Sequence, residues 1–259
     1  MKNTIITTFI FFIGFSMNAQ SYKSFTPTKG EIVFTKKAKI TNRKLFDNTF
    51  IYYKKIFIEG TRIGNEAKNG KKPDSKILKQ QQDLYKSLFA SSFIEKTMLF
   101  IGDSAIHTQT YADSLIWSNK KKLSTKMIVR REKININNNL LFYLSNTDST
   151  KILEKYAFSF AHIKILKKTE NKKNKKNIAG FNCFKITCDF IVLEDESYFS
   201  KNIVYRRTYW VTDRIKSVYH PVSSEKEILE KYFPLEIIET INGVEGFERK
   251  YVLQKITLQ

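Results

Sequence analysis

Three stretches in the last third of the chain decide its fold: Asn182-Cys183-Phe184-Lys185-Ile186-Thr187-Cys188, Arg207-Thr208-Tyr209-Trp210-Val211-Thr212 and Phe233-Pro234-Leu235-Glu236-Ile237-Ile238. Each is short, rich in β-branched and aromatic residues, and bounded by polar or glycine-containing segments, as strands joined by tight connections are. The first belongs to a longer run, Ile178 to Leu193. It is apolar on both alternating faces, with Phe181 and Cys183 on one and Phe184, Ile186, Cys188 and Phe190 on the other. A strand of that kind is central in its sheet or covered. In the second stretch, alternation puts Arg207 and Tyr209 on one face, and the simplest arrangement has Trp210 in the core and the arginines in solvent. Between the second and third, Ser224 with Glu227 three residues on fits a capping box that opens a short helix through Ile228, Leu229 and Tyr232. Pro234 ends that helix. Leu235 to Ile241, Asn242-Gly243 and Phe247 to Leu258 then read as a closing hairpin.

Working outward, Gly30 to Ile40 carries Ile32, Phe34, Ala38 and Ile40 at even spacing, the mark of a half-buried strand that Lys36 interrupts. Phe50 to Ile58 reads as a second strand, with a helix over Leu45 to Ile56 as the alternative. The clearest helix is Ser75 to Phe93, capped by Asp74 or Ser75, with an apolar stripe through Ile77, Leu84 and Leu88 that is suited to packing on a sheet. Lys96 to Ile101 and Ser104 to Tyr111 form a hairpin around Gly102-Asp103. Lys126 to Arg131, Leu140 to Leu144 and Ala157 to Leu166 continue as short strands, and Lys167 to Lys176 reads as a charged, solvated loop. Strands joined by such short turns alternate in direction. The expected architecture is therefore α+β: a mainly antiparallel curved sheet, an open or half barrel, with a long helix packed on one face.

The first nineteen residues have the anatomy of an export signal: Lys2, an apolar core from Ile5 to Phe15, and Ala19 before Gln20. The core is too short to span a bilayer, so cleavage is expected near Ala19 and residues 20–259 form a single domain. Forty-five basic against twenty-five acidic residues give a formal charge of +20. The excess is mostly lysine and comes with abundant Asn, Ile and Phe, a compositional bias rather than a nucleic-acid surface, for which arginine would be the stronger reader. Cys183 and Cys188 lie five apart in one strand, about 16 Å between Cα atoms, which is too far for a disulfide. Two free thiols on opposite faces are expected.

Motifs for chemistry are absent. His107, His162 and His220 stand apart from one another and from the cysteines, and no Gly-x-Ser-x-Gly elbow, glycine-rich phosphate loop or metal-ligand spacing occurs. No catalytic residue, metal or cofactor is assigned.

The last third resembles the GLPGLI family of exported bacterial proteins. Gly180, Cys183, Lys185 and Ile186 match its Gly-x-x-Cys-x-Lys-Ala strand. Trp210, Thr212 and Ile215 match its Trp-Tyr-Thr-x-x-Ile strand. Phe233, Pro234, Leu235 and Ile237 stand at the segment that names it, with Glu236 in place of glycine, and Gly30 to Phe34 resembles its opening strand. The resemblance implies a cell-envelope protein of the periplasm or outer-membrane surface, with a sheet similar to that of lipoprotein-sorting factors. The expected role is non-catalytic binding, with a hydrophobic or lipid-like ligand between helix and sheet. Cys183, Trp210, Leu84, Leu88, Phe233, Pro234 and Leu235 are the candidate pocket or motif positions. A hydrolase assembled from distant residues is the alternative, as is an interaction module for an outer-membrane transport system. Lipid or an outer-membrane protein is the expected partner.

Overall fold

The computed structural model describes residues 23–51, 55, 59, 62, 66, 70, 94–111, 127–193 and 203–259. Among them eleven strands form one antiparallel sheet. In chain order they are β1 (Lys29–Ile40), β2 (Ile94–Ile101), β3 (Ser104–Tyr111), β4 (Met127–Asn135), β5 (Leu140–Leu144) and β6 (Ile152–Ala157), followed by β7 (Ile163–Ile178), β8 (Phe181–Val192), β9 (Tyr205–Thr212), β10 (Phe233–Ile241) and β11 (Val244–Ile256). Their spatial order is β6-β5-β4-β3-β2-β1-β11-β10-β9-β8-β7. The chain meanders outward from β1 to one edge, crosses to the other edge, and meanders back until β11 pairs with β1, from Ile32 opposite Ile256 to Ile40 opposite Phe247.

This order forces the sheet to curl. Laid flat, eleven strands about 4.8 Å apart would put β6 and β7 about 48 Å from each other. Ala157 and Ile163 are joined by only six Cα steps, a reach of at most about 22 Å. The sheet is therefore an open, strongly curved trough with a concave inner face. Along that face Ile32, Phe34, Met98, Phe100, Ile186, Tyr209, Val211, Leu235 and Ile237 are buried.

The connection between β9 and β10, residues 213–232, covers part of the trough. It contains the one-turn helix Lys226–Leu229, whose Ile228 and Leu229 are buried. A second apolar cluster lies near the β10–β11 turn, where Phe46 and Phe50 meet Ile203, Ile241, Val244 and Phe247. Phe46 and Phe50 sit one turn apart on a helix spanning residues 43–51, with 55, 59, 62 and 66 also helical. The Asn42 side chain accepts the Leu45 amide and caps it.

Several expectations need correction. Phe50 and Ile51 are helical, so the helical alternative holds there and the strand does not. A long helix on one face is not supported among the described residues. Ser75 to Phe93, with Leu84 and Leu88, lies outside them, as does the signal segment; among the described residues, 213–232 cover part of the inner face. The lysine run 167–176 is not a loop but the middle of β7. As an edge strand β7 needs no apolar stripe, and its lysines oppose pairing with a further chain. The other edge, β6, escaped notice because Ile152 and Leu153 are adjacent and both exposed, leaving no alternation to read. Ala157 to Leu166 is two strand ends flanking residues 158–162. Pro234 does not stop the short helix; it lies within β10, at a register shift against β9.

Gly30 has φ +111°, and a Cβ there would sit 1.9 Å from the Thr257 carbonyl oxygen where β1 meets the C-terminal segment. Gly30→Ala is expected to destabilise the fold by about 3 kcal/mol or more in urea titrations. Gly180→Ala, in the open β7–β8 turn at φ +83°, is expected to cost only about 1 kcal/mol.

Candidate functional site

The inner face carries a row of charges. Strand register places Arg249 beside Glu239, Glu239 beside Arg207, and Arg207 beside Cys188. The Glu239 carboxylate accepts from Arg249 Nη1 at 2.8 Å and from Arg207 Nε at 2.7 Å. Burial alone would raise the Glu239 pKa; the two guanidinium groups overcome that and push it down to about 2. Arg207 also pairs with Glu225 from the covering connection. Glu225 in turn accepts from the Ser223 hydroxyl and, at 3.1 Å, from the Ser224 amide. This explains why the expected capping box does not form. Glu225 is the N-cap of the short helix and gives it no side-chain cap; its carboxylate is committed to a buried arginine, a stronger partner than a backbone amide.

His220 is the second anchor. Its ring lies 5.1 Å from Phe34 and 4.7 Å from Phe233. Nδ1 accepts the amides of Val222 and Ser223 at 3.0 and 2.9 Å, so Nε2 carries the proton and donates to the Pro234 carbonyl at 2.9 Å. Burial pushes its pKa down to about 3. A neutral imidazole is thus built into the packing.

Beside these anchors lies a cleft of about 390 Å³ between strands β2 to β5 and the segments around Phe158 and Val218 to Ser224. Its apolar wall is Met98, Ile134, Leu141, Phe158, Val218 and Val222. Its polar wall is built on facing strand positions. His107 on β3 opposes Glu132 on β4, and Nδ1 meets Glu132 Oε2 at 2.8 Å while Arg130 Nε meets Oε1 at 2.5 Å. A carboxylate only accepts, so Nδ1 holds the proton and Nε2 is left as an acceptor, buried with no hydrogen-bond partner. Burial keeps His107 neutral against the opposing pull of Glu132. For Glu132 itself burial works upward, but His107 and Arg130 hold the carboxyl below its ordinary range.

Lys96 completes the wall. It pairs across the sheet with Phe34 and Gln109 and shares the inner face with Met98 and Phe100. Its Nζ lies 5.9 Å from the Tyr251 ring centre. Among the described residues it has no carboxylate within ion-pair distance. Burial first, then repulsion from Arg207 and Arg130, brings its pKa down to about 8 against the pull of Glu239 and Glu132.

The sequence candidates fall elsewhere. Cys183 and Trp210 sit on the outer face, where Lys176 spans Glu236 and the Trp210 ring. Trp210 is half-buried; Tyr209 takes the core position, and Arg207 faces inward rather than to solvent. Both thiols are buried and free, and burial pushes each up to about 12, which leaves them inert. Phe233 and Leu235 are core, and Pro234 holds His220. Glu236, at the position of the motif glycine, points outward to Lys176 and Lys250. Sequence reading missed His107, Glu132 and Lys96. The one available signal was a lysine in phase with Met98 and Phe100.

No group of three or more His, Cys, Asp or Glu side chains among the described residues could hold a metal ion. No family model matches the chain, and no curated protein does.

Glu239→Gln leaves Arg207 and Arg249 facing a neutral amide, and a loss of about 3–5 kcal/mol is expected in chemical denaturation. In the parent the carboxylate's contribution is complete above about pH 4.3 and is lost as pH falls through about 2. Lys96→Met is expected to act in the opposite sense. Its lowered pKa means that charging Lys96 opposes folding, so the variant gains up to about 3 kcal/mol near neutral pH. That gain is full below about pH 8 and fades toward about pH 10.4, the unfolded value.

Proposed function

We propose that the chain is an exported cell-envelope protein of the GLPGLI type that binds, without catalysis, a small molecule with an apolar body in the cleft between β2–β5 and residues 213–232. The observation carrying this reading is the cleft itself. It has a volume within the roughly 300–1,000 Å³ of small-molecule sites, an apolar wall facing a larger polar one, and a lysine with no carboxylate in ion-pair distance. Groups that weaken a fold without an internal partner are characteristic of binding sites. The apolar start of the chain and the matches at Gly180, Cys183, Trp210 and Pro234 support export and the family assignment. Among the described residues no helix is long and apolar enough to cross a membrane.

A hydrolase is the second reading, favoured by the His107–Glu132 pair with its unprotonated Nε2. Acyl transfer also needs a nucleophile within reach of that nitrogen. No hydroxyl or thiol of the described residues is bonded to His107, and the thiols are held protonated. Binding is therefore the better-supported function.

Native mass spectrometry of the protein isolated from the envelope is expected to show an extra small-molecule mass that is lost on denaturation and absent from Leu141→Trp, which fills the cleft. Bare protein in both cases, or hydrolysis of a p-nitrophenyl ester that His107→Gln abolishes, would overturn this reading.

A further inference from the structure

We infer that the molecule held in the cleft is a singly charged anion, an amphiphilic carboxylate, and that its head group pairs with Lys96. The inference rests on reading the cleft as a ligand site and comes from the partners of the inner carboxylates. Glu132 has one oxygen on Arg130 and the other on His107. Glu239 has one on Arg207 and the other on Arg249. Glu225 is taken by Arg207, Ser223 and Ser224. Each of these inner carboxylates is engaged at both oxygens by groups other than Lys96, and Glu239 and Glu132 attract its ammonium only from beyond ion-pair distance, leaving the face of Tyr251 as its contact.

The cleft wall thus has one positive charge in surplus, Lys96 and Arg130 against Glu132, and the spare acceptor beside it, His107 Nε2, carries no charge to pair with a cation. A neutral ligand would leave the ammonium uncompensated in a low-dielectric site, where an unpaired charge is costly. A monoanion supplies the missing partner. A phosphate monoester carries close to two charges at neutral pH and would replace one surplus by another. Lysine, moreover, is a point charge rather than the fork that favours phosphate. Met98, Ile134, Leu141, Phe158, Val218 and Val222 line the same space and would take the apolar body.

The test is calorimetric titration of the full mature chain at neutral pH with decanoate, decyl phosphate, decanol and decylamine, probes that share one tail. Decanoate is expected to bind at least about tenfold tighter than decanol or decyl phosphate, with decylamine weakest. Lys96→Met should bring decanoate down to the decanol level without changing decanol, and Lys96→Arg should keep the preference. Equal binding of decanoate and decanol, a preference for decyl phosphate or decylamine, or a preference that survives Lys96→Met overturns the head-group assignment while leaving the cleft as a site. If no probe binds parent or variant, both the assignment and the cleft reading fail.

Discussion

The Glu239 carboxylate, held between Arg207 and Arg249 on the inner face of the sheet, is the interaction on which the rest of the molecule depends. Its three residues come from adjacent strands, β10, β9 and β11, and face one another because the pairing register puts them in one row. With Glu239 ionised, Arg207 has charge to spare for Glu225, which draws residues 213–232 down over the trough. The apolar counterpart is His220, wedged between Phe34 and Phe233 and fixed to the Pro234 carbonyl. One anchor is ionic and the other is a neutral imidazole. Together they fix the roof of the cleft.

The trough is a consequence of strand order rather than of any single residue. A chain that begins mid-sheet, runs to one edge and reappears at the other through residues 158–162 must bring those edges toward each other. Residues 213–232 fill one part of the trough. The cleft is the part they leave.

Much of this architecture was legible in the sequence and much of the site was not, for separate physical reasons. A strand with one buried face alternates, so β1 could be read from Ile32 and Phe34; β2 and β3 were marked by the Gly102-Asp103 turn between them, and β8 by apolar residues on both its faces. Edge strands have no buried face, so β6 and the lysine-rich β7 carried no such signal. The site was hidden because its parts are distant in sequence: His107 and Glu132 are 25 residues apart, and Arg207 and Glu239 are 32 apart. They meet only once register is known. Trp210 was expected inside because it is large and apolar, yet alternation had already put its face opposite to that of Tyr209, and the structure keeps Tyr209 in the core.

The covered end of the trough is proposed as a ligand site. Methyl-group NMR of the protein during titration with decanoate addresses it directly. Saturable shift changes should cluster at Met98, Ile134, Leu141, Val218 and Val222, with Leu99 and Ile106 on the outer face of the same strands unmoved. Changes confined to Leu99 and Ile106, or spread over the surface without saturation, would contradict it.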